Sequence, residues 1–193
     1  KGCAELVASA YRRSFLQEQG IGLASVRAGN VIGGGDWADD RLIPDILRSF
    51  EKSEPVVIRN PKATRPWQHV LEPLSGYLIL AEKLYKNQKE YAEGWNFGPN
   101  EKDVKPVDWI LDKMILKWPD ASWKLDQNSS PHEAGFLKLD ITKAESKLGW
   151  KPVWELSYTL DKIISWHKAW LSKENMQDVC LAEIKEYTRD MNK

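Results

Sequence analysis

Stripes of apolar residues at helical period alternate along this chain with apolar runs too short to be helices, and no other feature limits its fold more. Cys3, Leu6, Val7, Ala10 and Phe15 recur at helical spacing up to Gly20, a residue suited to the left-handed position that closes a helix, so a helix is expected over 2–19. The glycine-bounded string Gly22 to Ala28 reads as a buried strand that opens into the loop Gly29-Asn30-Val31-Ile32-Gly33-Gly34-Gly35-Asp36. Ile43, Ile46, Leu47 and Phe50 then mark a short helix, Val56 to Ile58 a short strand, and Leu74, Tyr77, Leu78, Ala81, Leu84 and Tyr85 a longer helix. Another strand is expected at Trp95 to Gly98. The stripe Val107, Ile110, Leu111, Met114, Ile115, Trp118 is a helix that Pro119 stops, and a further stripe runs through Leu156, Leu160, Ile163, Ile164, His167, Trp170 and Leu171. Residues 173–193 read as a charged tail compatible with a helix. A helix, a strand and a glycine-rich loop in succession indicate an α/β architecture.

Composition narrows the function classes. Lys plus Arg (28) balances Asp plus Glu (28), so no overall field favours nucleic acid or an anionic membrane, and charged ligands must be met by a few placed side chains. The cysteines Cys3 and Cys180 lie far apart, which fits free thiols in a reducing cytosol, and a cytoplasmic location is expected. The apolar run around Tyr77 to Ala81 is far below the roughly 20 residues that cross a bilayer. Lys1 enters a helical pattern with no capping residue ahead of it, so the chain reads as one cut inside a helix.

Several residues have chemistry to offer. Asn30 follows the strand bearing Arg27, where open α/β sheets take ligands, and Gly33 to Gly35 would let a phosphate approach the backbone. A plain turn with Asn30 as a local cap would use the same residues. In the run Arg59-Asn60-Pro61-Lys62-Ala63-Thr64-Arg65-Pro66-Trp67-Gln68-His69-Val70, Arg65 is held stiffly before a proline and its guanidinium fork suits a diphosphate, although a solvated hairpin would look alike. His132 follows Pro131 in a polar loop, where it could bond a ligand or face water, and no His/Cys/Asp spacing resembles a metal site. His167 lies on an apolar stripe and reads as a satisfied core residue. Ten tryptophans raise a carbohydrate-binding module as a rival, but most fall on core stripes, Trp37 and Trp67 being the exceptions beside the two candidate loops.

The runs VRAGNVIGGGDWADDRLIPDIL (26–47), RNPKATRPWQHVLEPLSGYL (59–78), WNFGPN (95–100) and LDITKAESKLGWKP (139–152) resemble the nucleotide-sugar enzymes of the extended short-chain dehydrogenase/reductase superfamily, and among them are most similar to the CDP-glucose 4,6-dehydratases. The resemblance runs from Lys1 to about Trp170. Ile32-Gly33-Gly34 departs from the Tyr-Gly-Pro of many relatives, as does Pro66 from an aspartate common in dTDP-sugar dehydratases. The resemblance implies the last part of a Rossmann-type parallel sheet over 1–30, a smaller mixed α/β substrate-binding region over 31–172 with segments returning to that sheet, and the tail 173–193. It implies NAD as cofactor, with Lys1, Ala28 and Asn30 near it and Lys1 as the lysine of a Tyr-x-x-x-Lys motif whose tyrosine lies upstream. Asn30, Arg41, Leu42, Pro44, Arg65 and His132 would hold the nucleotide sugar. The implied reaction oxidises C4 of the hexose, removes water across C5 and C6 and returns hydride to C6, turning CDP-glucose into CDP-4-keto-6-deoxyglucose. This chain alone would be inactive, and the full-length enzyme a homodimer through the helix that begins this chain, with no nucleic-acid or membrane partner. A dTDP- or GDP-sugar dehydratase or a UDP-sugar 4-epimerase is the nearest alternative.

Overall fold

The computed structural model describes residues 2–126 and 135–193. Helix α1 (Gly2–Tyr11) continues as a π-helical turn (Arg12–Leu16), so the first helix stops short of the expected boundary, and Gly20 follows at φ +70°. The remaining elements are β1 (Ser25–Ala28), β2 (Asn30–Ile32), α2 (Leu42–Glu51), β3 (Val56–Ile58), β4 (Thr64–Arg65), β5 (Trp67–His69), α3 (Leu71–Lys86), α4 (Gln88–Tyr91), β6 (Gly94–Phe97), β7 (Lys105–Pro106), α5 (Val107–Ile115), β8 (Trp123–Leu125), α6 (Leu156–Leu171) and α7 (Met176–Met191). The pairs β1–β6, β2–β5 and β3–β8 are parallel, and β4–β7 is antiparallel. The fold is mixed α/β, as the alternation of periods predicts.

The chain changes partner at Gly29. Strand β1 pairs with β6, and the amide of Gly29 still reaches Phe97 O at 3.1 Å, but the amide of Asn30 donates to Pro66 O at 2.8 Å and β2 runs along β5 instead. Gln68, 3% exposed, bonds Phe97 O through Nε2 at 2.8 Å and so ties β5 to β6. A β-carbon at position 29 would lie 2.2 Å from Pro66 O, so the switch is open to glycine alone without a backbone shift. The expected loop 29–36 therefore begins as a strand. Three residues show no period of their own, and long-range pairing creates the element.

Two cores hold the layers. The larger joins Ile43, Ile46, Leu47 and Phe50 of α2 to Val107, Ile110, Leu111 and Met114 of α5 and to Leu156, Leu160, Ile163 and Ile164 of α6. These are the i, i+3, i+4, i+7 positions of α2 and α5 and the i, i+4, i+7, i+8 positions of α6, and Pro44 is tolerated because the first turn needs no amide there. The smaller core packs Leu80, Trp95, Phe97, Leu148 and Trp150 beneath β6.

Residues 173–193 are no loose tail. Asn175 caps α7 by accepting the amide of Gln177 at 3.1 Å, and the helix docks through polar side chains. Tyr187, 4% exposed, donates to Glu72 Oε2 at 2.8 Å, while the Trp154 indole reaches Asp190 at 3.1 Å and the Trp166 indole reaches Cys180 Sγ at 3.3 Å. His69 Nε2 stands 3.2 Å from Glu183 but off the line of a hydrogen bond. Glu72 is fully buried and also accepts the amides of Val153 (3.0 Å) and Trp154 (2.7 Å). Burial pushes its carboxyl above the usual range, and the three donors offset part of that rise.

Candidate functional site

A cleft of about 890 Å³ opens where the chain changes strand partner. Its lining includes Gly29, Asn30, Arg41, Leu42, Ile43, Pro44, Val56 to Asn60, Arg65 and Trp67. Open parallel sheets leave such a crevice where neighbouring connections diverge, beyond the carboxyl ends of the strands. The volume lies within the range of about 300–1,000 Å³ usual for small-molecule sites.

Register explains why distant residues meet there. Asn30 is the register partner of Trp67 in the β2–β5 pair, and Arg65 stands two positions before Trp67 on the same extended run. Residues two apart on extended chain point to one side, so Asn30, Arg65 and Trp67 share a face, and all three line the cleft. The Asn30 side chain makes no hydrogen bond among the described residues, whereas Arg65 is steadied by Nη1 donating to Thr64 O at 3.0 Å. Trp67 is 6% exposed and belongs to the larger core, so it is both floor and core rather than an exposed platform. Its indole N–H is buried with no acceptor among the described residues.

The opposite wall is the start of α2. Arg41 occupies the N-cap position with no side-chain cap bond, so the first amides of Leu42 and Ile43 are left without an intrahelical acceptor. That end of the helix carries partial positive charge and favours an anion. Asp45 in the same turn is ion-paired with Arg48. Three guanidinium groups, Arg41, Arg59 and Arg65, line the cleft together with three carboxylates, Asp36, Asp40 and Asp45.

The expected residues divide as follows. Asn30, Arg41, Leu42, Pro44 and Arg65 come together in the cleft. Ala28 ends β1, just before the switch, outside the lining. Lys1 and His132 lie outside the described residues. Arg59, Asn60, Asp36 and Asp40 also line the cleft and were not singled out. Arg59 had a signal: it follows β3, whose Val56 and Ile58 are buried and whose Val57 is exposed, so alternation turns a cation outward at the carboxyl end of a parallel strand. Gly33 to Gly35 are outside the cleft lining, and Gly34 has a packing role of its own. A β-carbon at Gly34 would sit 2.2 Å from the Trp166 ring, so its missing side chain makes room for an indole.

The carbohydrate-module rival required several exposed tryptophans. Trp37 and Trp170 are 47% and 39% exposed but pack on each other with centroids 4.5 Å apart, and Trp67, Trp95, Trp150, Trp154 and Trp166 are buried. His167 is a core residue, 2% exposed and 2.7 Å from Glu51, and both cysteines are free. No group of metal-ligating side chains occurs among the described residues, and no helix there is long and apolar enough to cross a membrane.

No family model matches the chain. Over 97% of its length it is 59% identical to the CDP-glucose 4,6-dehydratase of Salmonella typhimurium and covers 54% of that protein, so the chain spans about half the length of the curated relative it matches. Among solved structures it is similar to the UDP-glucuronic acid 4-epimerase of Bacillus cereus in complex with UDP-glucuronic acid and NAD (TM-score 0.68, 20% identity, 85% of this chain and 49% of that one). The dTDP-glucose 4,6-dehydratase of Bacillus anthracis in complex with NAD matches comparably (TM-score 0.68, 19% identity, 86% and 49%). The UDP-glucose 4-epimerase of Thermotoga maritima with UDP-glucose follows (TM-score 0.65, 20% identity, 89% and 52%). At these identities the structures show the fold, which is the Rossmann-type α/β arrangement expected from the sequence.

Proposed function

We propose that this chain is the substrate-holding part of an NAD-dependent nucleotide-sugar 4,6-dehydratase acting on CDP-glucose, and that it binds the nucleotide diphosphate in the cleft at the Gly29 switch. The observation that carries this reading is the meeting of the Asn30 amide and the Arg65 guanidinium with Arg41 and the N-terminus of α2 in one crevice. An amide and guanidinium forks can bond several oxygens of one pyrophosphate together, and the helix end adds its dipole. High identity to a CDP-glucose 4,6-dehydratase supports the choice of reaction.

Held by its diphosphate, the substrate would present its hexose toward the carboxyl end of β1, and this remote binding would orient the reacting carbon. NAD, when bound, would supply the acceptance of hydride from C4 and its return at C6. β1 pairs on one edge only, with β6, among the described residues, and its carboxyl end at Ala28 is the kind of position where a sheet meets a cofactor. Ala28 and Asn30 fit that contact, and Lys1 would add an ammonium beside it. His132 would touch the nucleotide.

The chain alone is proposed to be inactive and the full-length protein a homodimer. Helix α1 has no buried residue, and Leu6, Val7, Tyr11 and Phe15 are all exposed, which supports self-association through it. Calorimetric titration of the chain with CDP tests the reading. Binding should be measurable with CDP and absent with glucose, and Arg65→Ala should weaken it by a charge-assisted hydrogen bond, roughly 1.5 to 3 kcal/mol. An unchanged dissociation constant in that variant removes Arg65 from the site.

A further inference from the structure

Between the glycines and α2, the segment 36–41 has no regular structure, yet its two sides face different things. On one side Asp36, Asp40 and Arg41 line the cleft. On the other, the Trp37 ring lies against α6, with centroids 4.5 Å from Trp170, 5.7 Å from His167 and 6.2 Å from Trp166. Arg48 of α2 clamps the same turn, donating through Nη1 to Trp37 O at 3.1 Å and through Nη2 to Ala38 O at 3.3 Å, and it also pairs with Asp39 and Asp45. Asp36 accepts the amide of Ala38 at 3.0 Å, and Asp40 is held at φ +57°, a conformation that a loose segment would leave.

We infer that Trp37 is a positioning residue: seated on the α6 shelf of His167 and Trp170, it fixes segment 36–41 and so places Arg41 in the wall of the cleft. A ring about half exposed contributes less burial than a core tryptophan, so its value lies in where it holds the backbone. Arg41 has no side-chain cap bond of its own, so what the segment fixes is the backbone point from which this side chain reaches into the cleft. The inference rests on the reading of the cleft as a nucleotide-diphosphate site.

The test compares the chain with Trp37→Ala, Trp37→Phe and Trp170→Ala, following CDP binding by calorimetry and backbone protection by amide hydrogen exchange. Trp37→Ala should weaken CDP on the order of tenfold, the worth of one misaligned bond to a charged group, while the ring-retaining Trp37→Phe restores most of the affinity. Trp170→Ala removes the shelf from the other side and should reproduce the loss. The amide of Ala38, bonded to Asp36 Oδ1 at 3.0 Å, should lose protection in both alanine variants while those of α5 and α6 keep theirs. If the chain binds CDP and all three variants bind it equally, the inference is overturned and the site stands. Unchanged protection of the Ala38 amide in the alanine variants overturns it as well. If the unsubstituted chain fails to bind CDP, the nucleotide reading falls and takes the role of Trp37 in binding with it.

Discussion

Removing one oxygen from α7 should measure what its polar docking contributes. The Tyr187 hydroxyl donates to Glu72 Oε2 at 2.8 Å and shares a hydrogen bond with Ser75 Oγ at 3.1 Å, and its ring meets Trp154 edge-on with centroids 5.0 Å apart. Tyr187→Phe keeps the ring and deletes the donor. A hydrogen bond to a charged group is worth roughly 1.5–3 kcal/mol, and because two backbone amides still hold the carboxylate the lower half of that range applies, about 1.5–2 kcal/mol. For a chain of this size that lowers Tm by about 3–8 °C, read by circular dichroism at neutral pH. The same variant gives a pH signature. Glu72 has a folded-state pKa above its ordinary value of 4.5, so its contribution to stability is complete below 4.5 and is lost as pH rises through the raised value. The Tyr187 donor favours the ionised form, so the gap between variant and parent should narrow as pH falls toward 4.5. A Tm within about 1 °C of the parent at neutral pH, or a gap that widens on acidification, would refute the picture of Glu72 as the buried anchor of α7.

Gly29→Ala would drive its new carbon into Pro66 O and part β2 from β5, costing about 1–3 kcal/mol or more in a urea titration and abolishing CDP binding. Asp190 is held down at about 2 by the Lys193 amine and then by the Trp154 indole, so its stabilising effect is present above 3.8 and fades as pH falls toward 2. Carboxyl NMR of Trp154→Phe should show that midpoint moved upward but still below 3.8, because Lys193 remains.

What the sequence made legible followed the reach of each signal. Helices α2, α5 and α6 could be read because each carries its own period, and Val56 to Ile58 because it lies in a run of apolar residues. Strands β2, β4, β5, β7 and β8 are two or three residues long and exist only by pairing with distant segments, which no local window contains. Asn30 and Arg65 stand out by their chemistry and by family resemblance and Arg41 by the resemblance alone, and the structure brings all three to one cleft. Arg59 does not stand out, because its exposure depends on the register of β3. The packing role of Gly34 could not be read locally because Trp166, which fills the space beside it, lies far along the chain. The polar composition of 173–193 suggested a tail because its anchors, Glu72, Trp154 and Cys180 against Trp166, are side-chain pairs that hydropathy does not register.

The long reach of the parallel pairs also orders events in time. Val26 faces Trp95, Asn30 faces Trp67 and Val56 faces Trp123, so each ribbon closes only after intervening helices have been wound and carried across. Helices form within microseconds from near neighbours, whereas such closures wait for a diffusive search. Segment 25–32 must find two separate mates, which makes the floor of the crevice a late product of refolding. Capacity to hold an anion should therefore lag behind the recovery of helical signal, and partly collapsed forms would carry the helices without the grip.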